Sequence, residues 1–438
     1  MKAVVPVPTV TMRRRALLAT VATGGLVSVA GCNSASNSCS SSGGAFDRPA
    51  DRWPAPGYSP DNAAHAPAGP DAPTRQWRHD REQGTGPELW GHLSTPIVGE
   101  GSVYVSTVVS KYHRENDPGH LAAIDATSGE RRWTIELPQY ASGAPVLADD
   151  TLFVGDLGGT VHAVSTAGER RWTRSLGAAV GGPTVYGNVV HVLDDSGAVH
   201  GVTLDGDRCW REDRSGPLEG LLGNPSETAD AAPAVDDSGV YATILSGDRW
   251  DWTATVVAFD HDGSERWTYT FPSRERTNPP AVVDGTVLVT SGDQLHAIDA
   301  STGERRWQFT FGYDHAGPPA TDGDSVYVGA KNFYAIDLED GTERWRLVNR
   351  GIESSLGWSR ALPFIARPAV TDEAIYLRAG AYDPGDGTRL WGDLSQASVV
   401  NAERLATDQY SRHPIAHPAT TEDALYLTHQ HHGVMKFV

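Results

Sequence analysis

The sequence predicts an all-β protein: an eight-bladed β-propeller of four-stranded antiparallel blades, closed by its own N-terminal strand. Three observations predict it. A proline leading into a short apolar strand recurs eight times, and a tryptophan-bearing hairpin recurs seven times. The third is an offset between the two series: one further tryptophan, Trp77, precedes the first proline, and the last proline has no tryptophan after it.

The hairpins come first because two of them align at sight. Ala123-Ile124-Asp125-Ala126-Thr127-Ser128-Gly129-Glu130-Arg131-Arg132-Trp133 matches Ala297-Ile298-Asp299-Ala300-Ser301-Thr302-Gly303-Glu304-Arg305-Arg306-Trp307. Looser copies lead from Ala335 through Gly341 to Trp345, from Ala258 through Gly263 to Trp267, and from Ala381 through Gly387 to Trp391. Two more run from Ala163 through Gly168 to Trp172 and from Gly201 through Gly206 to Trp210. Each is an alternating strand, an Asp/Gly turn and a second strand. Asp closes such a turn through its side chain, and Gly supplies the positive φ.

The prolines are Pro96, Pro145, Pro183, Pro233, Pro280, Pro319, Pro368 and Pro418, spaced 49, 38, 50, 47, 39, 49 and 50 residues apart. Those are propeller-blade periods. A proline is tolerated where a strand begins. After Pro418 the chain supplies three strands and ends, so Arg75-Gln76-Trp77-Arg78 is expected to complete the eighth blade. Closure removes the open sheet edges that otherwise aggregate.

Trp77, Trp133, Trp172, Trp210, Trp267, Trp307, Trp345 and Trp391 are therefore expected between neighbouring blades. Burying ~200 Å² of each at ~25 cal/mol/Å² gives a gross upper bound of roughly 5 kcal/mol apiece. Such a set holds blades together and is not expected to stack on a cofactor or sugar.

The pattern Ala-x-Asp-x-x-Thr-Gly-x-x-x-Trp, complete at Ala297, Asp299, Thr302, Gly303 and Trp307, resembles the tryptophan-docking motif of pyrroloquinoline-quinone (PQQ)-like repeat proteins. Trp53-Pro54 through Tyr58-Ser59-Pro60-Asp61-Asn62 is similar to that family's lead-in to the first blade, so the resemblance covers residues 53–438. It implies the fold and leaves the chemistry open. The family holds quinoprotein dehydrogenases, which carry PQQ and calcium and typically an adjacent cysteine pair. It also holds the non-enzymatic lipoprotein scaffold BamB. This chain has no adjacent cysteines and no C-x-x-C-H haem site. The expectation is a binding or scaffolding protein, with no cofactor called. The alternatives are a PQQ- and calcium-dependent dehydrogenase of alcohols or sugars, and a metal- or carbohydrate-binding sensory module.

Charge and the N-terminus speak to location. The net charge is −19, and only four of the 36 basic residues are lysines: Lys2, Lys111, Lys331 and Lys436. An acidic, lysine-poor surface suits high salt, where self-repulsion is screened, and points to a haloarchaeon. No basic patch suggests nucleic acid. Arg13, Arg14 and Arg15 precede an apolar stretch, Ala16 to Ala30, too short to span a bilayer. Arg14 and Arg15 followed by Leu17 and Leu18 resemble a Tat export signal, with Met1 or Met12 as the start. Val29-Ala30-Gly31-Cys32 resembles a lipobox, with Cys32 the lipidated residue. Residues 1–31 are thus expected to be a lipoprotein signal peptide, 32–52 a flexible tether and 53–438 the propeller. The product would be a monomer anchored by lipid on the outer face of the cell membrane, with protein partners there. Cys32, Cys39 and Cys209 imply no disulfide framework, and Cys39 is expected as a free thiol.

In a four-stranded blade, the connections between strands B and C, and from strand D to the next strand A, share one face. The long insertions Thr107–His120, Arg211–Asp230, Ser246–Trp252, Leu347–Ala366 and Gly392–His417 all fall on that face, the candidate binding surface. So do His92, His315, His413, His417, His429, His431 and His432. The last five read either as a metal-binding cluster or as exposed polar loop residues. Trp250, Trp252 and Trp358, outside the repeat, read either as a partner hot spot or as loop packing. No catalytic triad, nucleophile motif or phosphate loop is present.

Overall fold

The computed structural model describes Cys39 and residues 49–79, 92–108, 118–213, 232–248, 251–273, 277–312, 316–348, 352–353, 359–360, 366–377, 380–392, 418–429 and 433–438. Eight four-stranded antiparallel blades follow one another along the chain. Blade 1 is Ile97–Gly99, Ser102–Val108, Gly119–Asp125 and Arg131–Leu137, its strands A to D. The other A strands begin at Val146, Thr184, Ala234, Ala281, Ala320, Ala369 and Ala419, each directly after one of the recurring prolines. Blade 8 is Ala419–Thr421, Ala424–His429 and Gly433–Phe437 with Arg75–His79 as its outer strand. The two chain ends meet there. Thr74 N–H donates to Val438 O (2.8 Å) and Val438 N–H to Thr74 O (2.9 Å), in place of the turn that other blades have.

One geometry repeats at the outer pair of strands. Ala123 faces Trp133, and the register then shifts so that Ile124 faces Arg131. Arg132 is the extra residue of a β-bulge, which re-aims its side chain. Its guanidinium turns back to Asp125 (2.7 Å) and to Ser102 Oγ (2.7 Å) at the start of strand B. Arg306 and Arg344 repeat this with Asp299 and Thr286, and with Asp337 and Ser325. The Ser128 N–H and the Arg132 guanidinium hold the Asp125 carboxyl well below the usual carboxylate range. Blade 8 keeps the bulge, at Gln76, although its two strands come from opposite ends of the chain.

Each tryptophan reaches the next blade. Trp77, Trp133, Trp172, Trp267, Trp307 and Trp345 donate their indole N–H to Ala126, Thr166, Leu204, Ala300, Leu338 and Pro384 carbonyls of the following hairpin turn, at 2.7–3.1 Å. Each ring lies on that turn's glycine. At Gly341, φ is 75° and an added Cβ would sit 2.6 Å from Trp307 Cδ2. Gly341→Ala is therefore expected to destabilise by about 2–4 kcal/mol, from the left-handed backbone and the displaced ring together. Denaturant unfolding measures it, with Gly312→Ala as control: φ there is 67° and nothing lies within 4 Å.

Two tryptophans depart from the pattern. Trp391 has no following turn, because the next blade's outer hairpin is the junction of the chain ends. Trp210 lies on Gly263, but its indole N–H has no partner. In blade 3 the usual alanine is Gly201, where an added Cβ would sit 2.4 Å from Trp210 Nε1, so the ring has settled toward the strand. The tyrosine or phenylalanine that packs beneath the tryptophan in blades 1, 2, 4, 6, 7 and 8 is here His191, fully buried with neither ring nitrogen bonded.

Burial pushes the His191 imidazole down to about 3. A folded value below the unfolded one means the unfolded chain binds the proton first. Stability contributed by neutral His191 is thus complete above about pH 6.5 and falls as pH drops toward 3. His191→Phe is expected to remove that part of the slope, read as the pH dependence of the unfolding midpoint between pH 7 and 4.

Several connections differ from expectation. Residues 246–248 and 251–252 are strand, not loop: blade 4 pairs Gly239–Asp248 with Asp251–Phe259 out to Asp248↔Asp251. Thr107, Val108, Gly119 and His120 are likewise strand, as are Arg211 and Glu212. His92 and Leu93 pair with Val108 and Thr107 as a fifth strand on blade 1.

The cysteine expectation is corrected. Cys39 is joined to Cys209, with Cα atoms 5.4 Å apart across 170 positions of sequence. The spacing of two lone cysteines carries no sign of this, because only the folded ring brings them together.

Candidate functional site

The channel of a propeller is lined by the A strands, whose inner edges leave backbone N–H groups unpaired. Here the chain fills its own channel. Carbonyls of Trp53, Pro54, Pro60, Asp61, Ala63 and Ala64 accept the N–H groups of Val98, Leu147, Val235, Val282, Thr321 and Val370, at 2.8–2.9 Å. Every donor lies two residues after a blade's proline. The segment passes blades 1, 2, 4, 5, 6 and 7 in ring order, and Ala50 O takes the Glu422 N–H of blade 8 before it starts. Residues 49–52, expected to be tether, thus belong with this inner strap.

Side chains seat the strap. Trp53 and Tyr58 are fully buried with ring centroids 5.1 Å apart. Asn62, at φ 59°, donates through Nδ2 to Pro280 O (3.1 Å) and Pro233 O (3.3 Å). Arg52 approaches Glu100 (3.6 Å), and His65 bonds Asp372 (2.9 Å). Glu100 and Asp372 lie in A–B turns, so the strap occupies the end of the channel opposite the insertion-bearing face. A ligand entering from the A–B end would have to displace six backbone hydrogen bonds.

On the insertion-bearing face, blades 2 and 3 carry matched buried pairs. Asp156 Oδ2 bonds His162 Nε2 and Asp194 Oδ2 bonds His200 Nε2, both at 2.7 Å. The other carboxylate oxygen closes the B–C turn, taking N–H groups of Thr160 in blade 2 and of Ser196 and Ala198 in blade 3. Burial raises the Asp194 carboxyl, but the bonds from His200, Ser196 and Ala198 outweigh it and hold it low. All four side chains are at most 3% exposed, so the pairs lock turns and meet no substrate. Sequence reasoning missed them, although the signal was present: D-x-x-G-x-x-H recurs at residues 156 and 194, 38 positions apart like Pro145 and Pro183. Asp195, raised by burial and by the Asp194 charge beside it, is a partly exposed acid on this face.

The predicted site residues divide cleanly. The eight tryptophans stand in the outer strands. His429 ends strand Ala424–His429 rather than lying in a turn. His413, His417, His431, His432, His315, Trp250 and Trp358 fall outside the described residues, as do Cys32, Arg14 and Arg15. Trp252 is in a strand, packed against the core of blade 4. Among the described residues, no three His, Cys, Asp or Glu side chains gather to hold a metal ion. Two of the three cysteines, Cys39 and Cys209, are joined in the disulfide.

A closed, self-plugged ring of tryptophan-docked blades defines a PQQ-like propeller repeat protein. Comparison with known families agrees: the family described as outer membrane protein assembly factor BamB matches residues 117–249 and 253–437, and the chain belongs to it. No curated protein sequence matches significantly. Among solved structures, the chain is similar to quinohemoprotein alcohol dehydrogenase from Comamonas testosteroni, with TM-score 0.61 and 14% identity over 89% of this chain and 80% of that one. It is also similar to BamB from Moraxella catarrhalis, with TM-score 0.50 and 15% identity over 86% and 96%. A computationally designed protein, Ika8, matches with TM-score 0.57 and 14% identity over 80% and 98%. At these identities the likeness is one of fold.

Proposed function

We propose that this protein is a lipid-anchored, extracytoplasmic binding or scaffold protein that engages protein partners through the D–A/B–C face. The observation that carries the reading is the use of the channel: the chain's own residues 50–66 take up the inner N–H groups at the A–B end. The long connections, by contrast, belong to the other face. Membership of the family described by an assembly factor supports a non-catalytic role. Export and lipidation at Cys32 complete it, and the disulfide accords with an oxidising compartment.

Photo-crosslinking in intact membranes tests it. A crosslinker at Asp195, on the D–A/B–C face, is expected to capture a discrete protein partner, and one at Asp340, in a C–D turn, is not. Substitutions within 347–366 or 392–417 should abolish the capture. Equal labelling from both faces would overturn the choice of face. Quinone absorbance from protein mixed with PQQ and calcium would replace the scaffold reading with the dehydrogenase.

A further inference from the structure

Cys209 lies in Arg208–Glu212, the outermost strand of blade 3. It occupies the bulge position that Arg132, Arg306 and Arg344 hold elsewhere: Gly201 faces Trp210 and Val202 faces Arg208, leaving Cys209 unpaired in the ladder. The bulge frees this side chain from strand packing, and blade 3 uses it for a covalent bond to Cys39. Cys39 follows Cys32 by seven positions.

We propose that the Cys39–Cys209 disulfide turns the outer edge of blade 3 toward the lipid surface that carries the anchor. This rests on the lipid-anchor reading above. The argument is one of reach. Among the described residues other than Cys39, the first bonded to a blade is Ala50, whose carbonyl accepts the Glu422 N–H. Eighteen positions separate it from Cys32, about 60 Å when extended, enough for the ring to roll freely. With the disulfide, seven positions remain, about 25 Å. The pull also moves from the A–B end of the channel to the rim. A ring drawn by its rim stands on edge, and both faces stay clear of lipid. The face proposed for partners is then presented along the membrane instead of away from it.

Full-length lipidated protein in phosphatidylcholine and phosphatidylglycerol vesicles with nitroxide headgroups tests this. A fluorescent amino acid replaces Arg211, in blade 3, or Arg389, in the outer strand of blade 7 across the ring. Quenching at position 211 is expected to exceed that at 389 by about threefold, given a reach of roughly 25 Å. The C39S/C209S double variant, checked for folding by circular dichroism, should bring the two together. Equal quenching in the disulfide-bonded protein overturns the orientation while leaving the anchor standing. Protein that stays in the supernatant instead overturns the anchor reading, and the orientation with it.

Discussion

Trp77→Ala is expected to lower stability by about 3–5 kcal/mol, at the upper end of what one side chain contributes. Trp77 is 9% exposed, lies on Gly129 and donates to Ala126 O, so it joins blade 8 to blade 1. Beneath it, Lys436 stands where every other blade but blade 3 places alanine, and its ammonium reaches the same Ala126 carbonyl (3.0 Å). Blade 8 is also the one blade assembled from both chain ends. Loss of Trp77 removes a seam contact and loosens the outer strand, which no turn connects to its neighbour. Trp391→Ala is the matched control, expected to cost less because Trp391 lacks a glycine-bearing turn to lie on. Denaturant unfolding of both variants separates them, and equal losses would show that the terminal seam is no more sensitive than its neighbour.

Trp53→Ala is expected to cost about 3–5 kcal/mol as well, and to act far from its own site. Trp53 is fully buried and pairs through both backbone groups with Val98, which starts the strap on its course round the channel. If the strap behaves as one cooperative unit, hydrogen exchange should speed up together at Leu147, Val235, Val282 and Val370. Faster exchange at Val98 alone would mean that each blade holds its own part of the strap.

Much of the fold was legible because a propeller repeats its local chemistry. Asp299, Gly303 and Trp307 announce a hairpin whatever lies around them, and eight prolines mark eight inner strands. Closure by Arg75–His79 followed from counting. The departures in blade 3 were also written in the chain, as Gly201 in place of alanine and His191 in place of an aromatic. They gain meaning only when Trp210 is seen settled between them. The D-x-x-G-x-x-H pairs at Asp156 and Asp194 were readable in the same way, as a period matching the blade spacing. The candidate face was less legible: a break in the repeat reads as a loop, whereas residues 246–248 and 251–252 are paired strand in blade 4.

The sequence by itself determined the number of blades, their order and the docking of one on the next. Those depend on turns and strand alternation within about a dozen residues. Only the tertiary structure decided the contents of the channel and the partner of Cys39. The strap bonds through backbone carbonyls, which every residue carries, so no side-chain pattern marks residues 50–66 as a ligand for seven blades. Cys39 and Cys209, 170 positions apart, meet because the closed ring sets the outer strand of blade 3 beside the incoming chain. Local chemistry repeats and can be counted, whereas proximity across a closed ring exists only once the ring has formed.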